Sequence, residues 1–100
     1  MDELLRTDVA DTIASDPRDK DVGEMLLALL RSLVDKEEEL EMVSLADAGG
    51  VSFQVHSAPD DIGKLIGKGG RTARAIRVIL GANGVKHRRR YSIDFGRRPA

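Results

Sequence analysis

Residues 67 to 70 read Gly-Lys-Gly-Gly, and the stretches on either side are patterned for helices. Upstream, Pro59 suits a first helical position, with Ser57 or Ala58 at the cap and Asp60 and Asp61 opposing the dipole. Downstream, "RTARAIRVILGANG" begins a second helix and ends in a glycine-rich stop. Three glycines in four positions cannot continue a helix, so the chain must turn here and restart. Any fold must therefore hold a helix, a glycine loop and a second helix, with Lys68 and Arg71 set beside the loop.

The rest of the chain supplies what these helices can pack on. Asp21 and Glu24 have the spacing of a capping box, and Val22, Met25, Leu26, Leu29, Leu30 and Leu33 then follow helical periodicity to about Val34. "LEMVSL" and "VSFQVH" read as strands joined through Gly49 and Gly50, where a tight hairpin calls for positive φ. The first of them changes phase between Met42 and Val43, which a bulge would explain. In "RRRYSIDF", Tyr91, Ile93 and Phe95 alternate with polar residues as a last strand. The expected order is α-β-β-α-α-β, an α+β fold with helices on one face of a small three-stranded sheet. Residues 1–20 are expected to form an acidic arm, partly helical through Leu5, Val9 and Ile13 and ended by "SDPRDK". Residues 21–96 would form the domain, and 97–100 a basic tail.

The glycine loop fails the two common nucleotide-binding patterns. A phosphate-binding P-loop needs four residues between its glycines and a hydroxyl after the lysine. Here Gly63 and Gly67 are one residue too close, and Gly69 stands where the hydroxyl belongs. The dinucleotide fingerprint breaks at Thr72, and no strand precedes the loop. The remaining pattern is a helix–GxxG–helix made by Gly67, Lys68, Gly69 and Gly70. A turn without side chains lets a sugar-phosphate backbone approach, and the amides opening the next helix supply oriented donors. Lys68, Arg71 and the flanking Lys64 and Arg74 add charge, and Ile62, Ile66 and Ile76 are candidates for an apolar groove under the bases. Such a clamp positions a strand without reading its sequence.

Charge distribution agrees. Residues 1–50 hold 14 acidic and 5 basic side chains, whereas residues 51–100 hold 3 acidic and 11 basic, including Lys86 and Arg88 to Arg90. There is no cysteine, and His56 and His87 stand 31 positions apart, so a metal centre, a cofactor and a small-molecule substrate are not expected. No nucleophile–base pair is visible, and the chain does not read as an enzyme. The longest apolar run, Met25 to Leu30, is far below the ~20 residues of a membrane span. With an acidic N-terminus in place of a signal peptide, a cytoplasmic protein is expected.

"LIGKGGRTARAIRVIL" resembles the signature of the KH domain, whose GXXG loop clamps about four nucleotides of single-stranded nucleic acid. The element order resembles the bacterial type II form, and the chain from about Asp21 to Phe95 is similar to the small KhpA family. That resemblance implies single-stranded RNA binding of a chaperone-like kind, pairing with a second copy or with a KhpB-like protein, and a link to cell-envelope growth and cell shape. Gly69 departs from the pattern, standing where a larger polar residue is common. With only Phe53, Tyr91 and Phe95 as aromatics, all in core phase, RNA affinity would rest on phosphate charge and groove packing rather than stacking. The competing reading is a protein-interaction module in which the acidic and basic halves meet between copies.

Overall fold

The structure, a computed structural model, describes residues 16–97. The expected helix through Leu5, Val9 and Ile13 lies outside them, as do residues 98–100 of the tail. Helix α1 spans Pro17–Arg31 and starts where the sequence reading placed a stop. Asp16 is its N-cap, accepting from the Arg18 amide at 2.9 Å, and Pro17 takes the first position, where its missing N–H costs nothing. Asp21 and Glu24 are both exposed within this helix and cap nothing. Val22, Leu26 and Leu30 bury the inner stripe, and Val34 continues it after the helix ends.

Strand β1 (Glu41–Ala46) pairs antiparallel with β2 (Gly50–Ser57), and β3 (Arg90–Arg97) lies parallel on the other side of β2. The order is β1-β2-β3. The parallel pair follows from the two helices between β2 and β3, α2 (Pro59–Ile66) and α3 (Arg71–His87), which carry the chain back across one face. Val51, Phe53, Val55, Tyr91 and Ile93 point into that face and bury against Leu26, Leu30, Leu65, Ile76 and Leu80. Ser52, Gln54, Ser92 and Asp94 occupy the opposite face. The fold is the expected α+β order with helices on one side of a mixed sheet.

Three local expectations change. Pairing runs without a bulge from Glu41↔His56 to Ala46↔Val51. The phase break arises because β1 is an edge strand, turning Ser44 inward and leaving Val43 and Leu45 more than 40% exposed. The hairpin glycines do not take positive φ, which glycines among the described residues adopt only at 67, 69 and 70. The turn is held instead by Asp47, whose Oδ1 accepts from the amides of Gly49 (2.8 Å) and Gly50 (2.9 Å). Gly50 is needed for clearance, because a Cβ there would collide with the Arg90 backbone. Finally, "GANG" does not stop α3, which runs three residues further and closes at Arg88 in the left-handed region. There the Arg89 amide reaches back to the Gly84 carbonyl at 3.0 Å.

One polar cluster ties these parts together. Asp19 is 1% exposed and accepts from Arg89 Nη2 (2.6 Å), Arg89 Nε (3.1 Å) and the Tyr91 hydroxyl (2.8 Å). Arg89 also donates to the carbonyl of Ala48 at 2.8 Å, so its guanidinium joins α1 to the β1–β2 turn, while Tyr91 brings β3 to the same carboxylate.

Candidate nucleic-acid interface

Helix α2 is aimed by its buried side. Leu65 is fully buried, and Asp61, 1% exposed, accepts from the amides of Asp35 (3.1 Å) and Lys36 (2.9 Å). These backbone hydrogen bonds, with Lys64 beside them, hold the Asp61 carboxyl below the usual carboxylate range. Asp61 is thus an anchor for the segment after α1 as well as a helix-start acid. Its spacing of four from Leu65 placed it on the buried face, a signal present in the sequence and obscured by the adjacent Asp60.

The helix ends at Gly67 (φ 79°, ψ 166°), where a Cβ would fall on the Thr72 side chain. The loop then tightens into a single 3₁₀ turn, with the Gly70 amide on the Gly67 carbonyl at 3.0 Å. Gly69 (φ 63°) and Gly70 (φ 77°) both lie in the left-handed region, and a Cβ at either would meet nothing within 4 Å. Gly67 therefore serves backbone conformation and inner packing, while Gly69 and Gly70 leave open space outside the turn. Thr72 is the partner that sequence reading missed.

Gly70 is the N-cap of α3 and offers no side-chain acceptor, and the first turn holds no acidic residue. The Arg71 amide closes the 3₁₀ turn on the Lys68 carbonyl, and the positive end of the dipole of this 17-residue helix lies at the glycine turn. Lys68 and Arg71 are exposed beside it, and neither has an ion-pair partner among the described residues.

The other expected site residues separate by role. Lys64 Nζ lies 3.2 Å from Asp35 and 3.3 Å from Asp61, which raise its pKa and balance its charge on the α1 side of the loop. Arg74 Nη2 reaches back to the Gly69 carbonyl at 3.5 Å, beside the loop. Ile62 and Ile66 are half-buried at the lip of α2, whereas Ile76 is 2% exposed and belongs to the core, not to a groove floor. Arg77 lies over the Phe95 ring, 5.8 Å from its centre, and donates to the Ile93 carbonyl, lining the seam between α3 and β3. Phe53 and Tyr91 stack on each other inside the core with ring centres 6.2 Å apart, leaving no exposed aromatic platform in either. Among the described residues no three His, Asp or Glu side chains gather as metal ligands, and no helix is long and apolar enough to cross a membrane.

Two helices joined by a GXXG turn, packed on a mixed three-stranded sheet in this order, define a KH domain. Residues 23–95 match the family model described as KhpA/KhpB, KH domain. The chain is 37% identical over 72 residues to the RNA-binding protein KhpA of Borreliella burgdorferi, covering 72% of this chain and 88% of that protein. Its identity to the protein of the same name from Clostridium acetobutylicum is 34%, over 72% of this chain and 96% of the relative. For Streptomyces coelicolor the identity is 41%, over 61% and 77% respectively. No solved structure matches the chain at a comparable level. The chain belongs to the KhpA/KhpB family of KH-domain proteins, a family of RNA-binding proteins and not of enzymes.

Proposed function

We propose that this chain binds single-stranded RNA by clamping its backbone at Gly67–Gly70. The observation that carries the reading is the open space outside Gly69 and Gly70, faced by the uncapped N-terminus of α3 and flanked by Lys68 and Arg71. A phosphate in that space would accept from amides that no side chain caps and meet two cations with no described partner. Arg74 contributes beside the loop, Ile66 offers an apolar lip to the bases, and Lys64 acts through the anchoring of α2. Because the stacked aromatics are internal, affinity comes from phosphate charge and groove packing, and binding is weak, salt-sensitive and tolerant of sequence. Kinship with proteins named RNA-binding protein KhpA supports RNA binding, and we extend the proposal, on the family resemblance alone, to a general, chaperone-like role in the cytoplasm, in post-transcriptional regulation linked to envelope growth and cell shape. In an NMR titration with a four-nucleotide RNA, amide shifts should concentrate at residues 66–74. Shifts confined to the open sheet face would defeat the clamp.

A second reading, compatible with the first, has an observation of its own. The outer face of α3 carries Ala75, Val78, Ile79, Ala82 and Val85 as a solvent-facing apolar stripe, with Val78 68% and Val85 83% exposed. The stripe suits a helix–helix seam with a second copy or with a KhpB-like partner. Sedimentation of the purified chain tests it, and a monomer at high concentration would exclude self-pairing.

A further inference from the structure

At the other end of α3, about 25 Å from the glycine turn at ~1.5 Å per residue, lies an open concavity of about 950 Å³. The β1–β2 turn, Gly81 and Gly84 of α3, and the start of β3 form its wall. Arg88 and Arg90 stand in that wall, exposed and without an ion-pair partner among the described residues. Arg89 between them also lines the wall but is taken up by Asp19 and the Ala48 carbonyl, so the run of three arginines divides into one structural and two available cations.

The backbone at Arg88 is the second observation. It has φ 58° and ψ 42°, and among the described residues it is the one non-glycine with positive φ. Glycine is the relaxed choice at this closing position, so the arginine side chain is kept against local strain. Complementing the helix dipole does not account for it, since Lys86 already supplies a cation and Arg90 lies in the next strand. The wall's acidic member, Asp47, has one carboxylate oxygen occupied by the Gly49 and Gly50 amides.

The concavity also lies on a route from the glycine turn. Arg74, Gly81 and Arg88 recur at intervals of seven, which places Arg74 and Gly81 on one flank of α3 leading to its end. Residues 71–87 contain no carboxylate, and Gly81 leaves that flank bare. Glycine and serine beside unpaired guanidiniums suit phosphate and ribose, and Val85, the last member of the α3 apolar stripe, stands in the same wall.

We propose that Arg88 and Arg90 form a second phosphate contact, reached by the same RNA strand after it leaves the glycine turn along this flank. The inference rests on the clamp reading. Its test compares the wild type with an Arg88→Gly/Arg90→Thr variant, in which the first change relaxes the backbone and the second suits an exposed strand. Binding of a four-nucleotide and a sixteen-nucleotide RNA of the same base would be measured by NMR titration and fluorescence anisotropy across a salt series. The short RNA should bind both proteins within about twofold, while the long RNA should bind the variant about fivefold or more weakly. Its log–log salt slope should fall by about 0.7, the value for one single-strand phosphate contact. An unchanged slope and affinity for the long RNA, equal losses on both lengths, or a change in oligomeric state alone would each overturn the second contact. Wild-type protein that ignores the short RNA would instead defeat the clamp reading, and that outcome is separately visible.

Discussion

Replacing Asp19 with alanine removes the acceptor on which Arg89 and Tyr91 converge. Its carboxylate is 1% exposed and takes three hydrogen bonds between 2.6 and 3.1 Å. Breaking a buried pair from one side strands the partner charge and costs about 3–5 kcal/mol. For a domain of this size that corresponds to a fall in melting temperature of at least ~12 °C. Tyr91→Phe removes one donor and leaves the Arg89 pair in place, so its cost should be nearer 1.5 kcal/mol. The cluster also has an optical signature, because Tyr91 is the chain's single tyrosine. Burial first, and the hydrogen bond to Asp19 second, push its hydroxyl up to about 12. A folded-state pKa raised in this way gives stability that is complete below ~10 and lost as pH rises through about 12. Urea unfolding and an alkaline titration of tyrosinate absorbance measure both quantities. In Asp19→Ala the tyrosinate midpoint should drop without reaching the free value, since burial persists. An Asp19→Ala variant within 1 kcal/mol of wild type, or a wild-type Tyr91 titrating near 10, would refute the cluster as the tie between α1 and β3.

Asp61 contributes to the acid limb of stability. Its carboxyl is held low by the Lys36 and Asp35 amides, so its contribution is present above ~4 and lost as pH falls through its depressed folded value. Asp61→Asn should therefore flatten the loss of melting temperature on acidification, which calorimetry across that range reads directly. At the glycine turn, Gly67→Ala should cost at least about 1–3 kcal/mol, through positive φ and collision with Thr72. Gly69→Asn should cost about 1 kcal/mol or less, because asparagine tolerates this conformation and the space is open. Urea titration of the two variants separates inner packing from outer room. Val78→Glu should shift any dimer toward monomer in sedimentation while leaving the affinity for a four-nucleotide RNA unchanged.

The GXXG turn was legible because glycine clusters between helical patterns leave few backbone solutions, and the structure places Gly67, Gly69 and Gly70 at positive φ. The alternation in β2 and β3 was legible for the same reason, one face being buried and one not. The start of α1 was misread because Asp-Pro both ends and begins helices, and only tertiary burial of Asp19 shows which applies here. Gly49 and Gly50 share the letters of a positive-φ hairpin, but the constraint on Gly50 comes from β3, forty residues away in the chain. Lys64 and Lys68 look alike in sequence, yet one faces Asp35 and Asp61 while the other faces solvent. Charge that depends on long-range neighbours is not readable from local pattern.

The most direct test of the clamp is Lys68→Asp combined with Gly69→Asp, which places two negative charges in the space assigned to phosphate. Both sites are exposed, and aspartate tolerates the left-handed conformation at position 69. Circular dichroism should show the fold intact. Anisotropy with a short single-stranded RNA should then show affinity lost by at least about tenfold, with a shallower salt dependence. Unchanged RNA binding by the folded double variant would contradict the clamp.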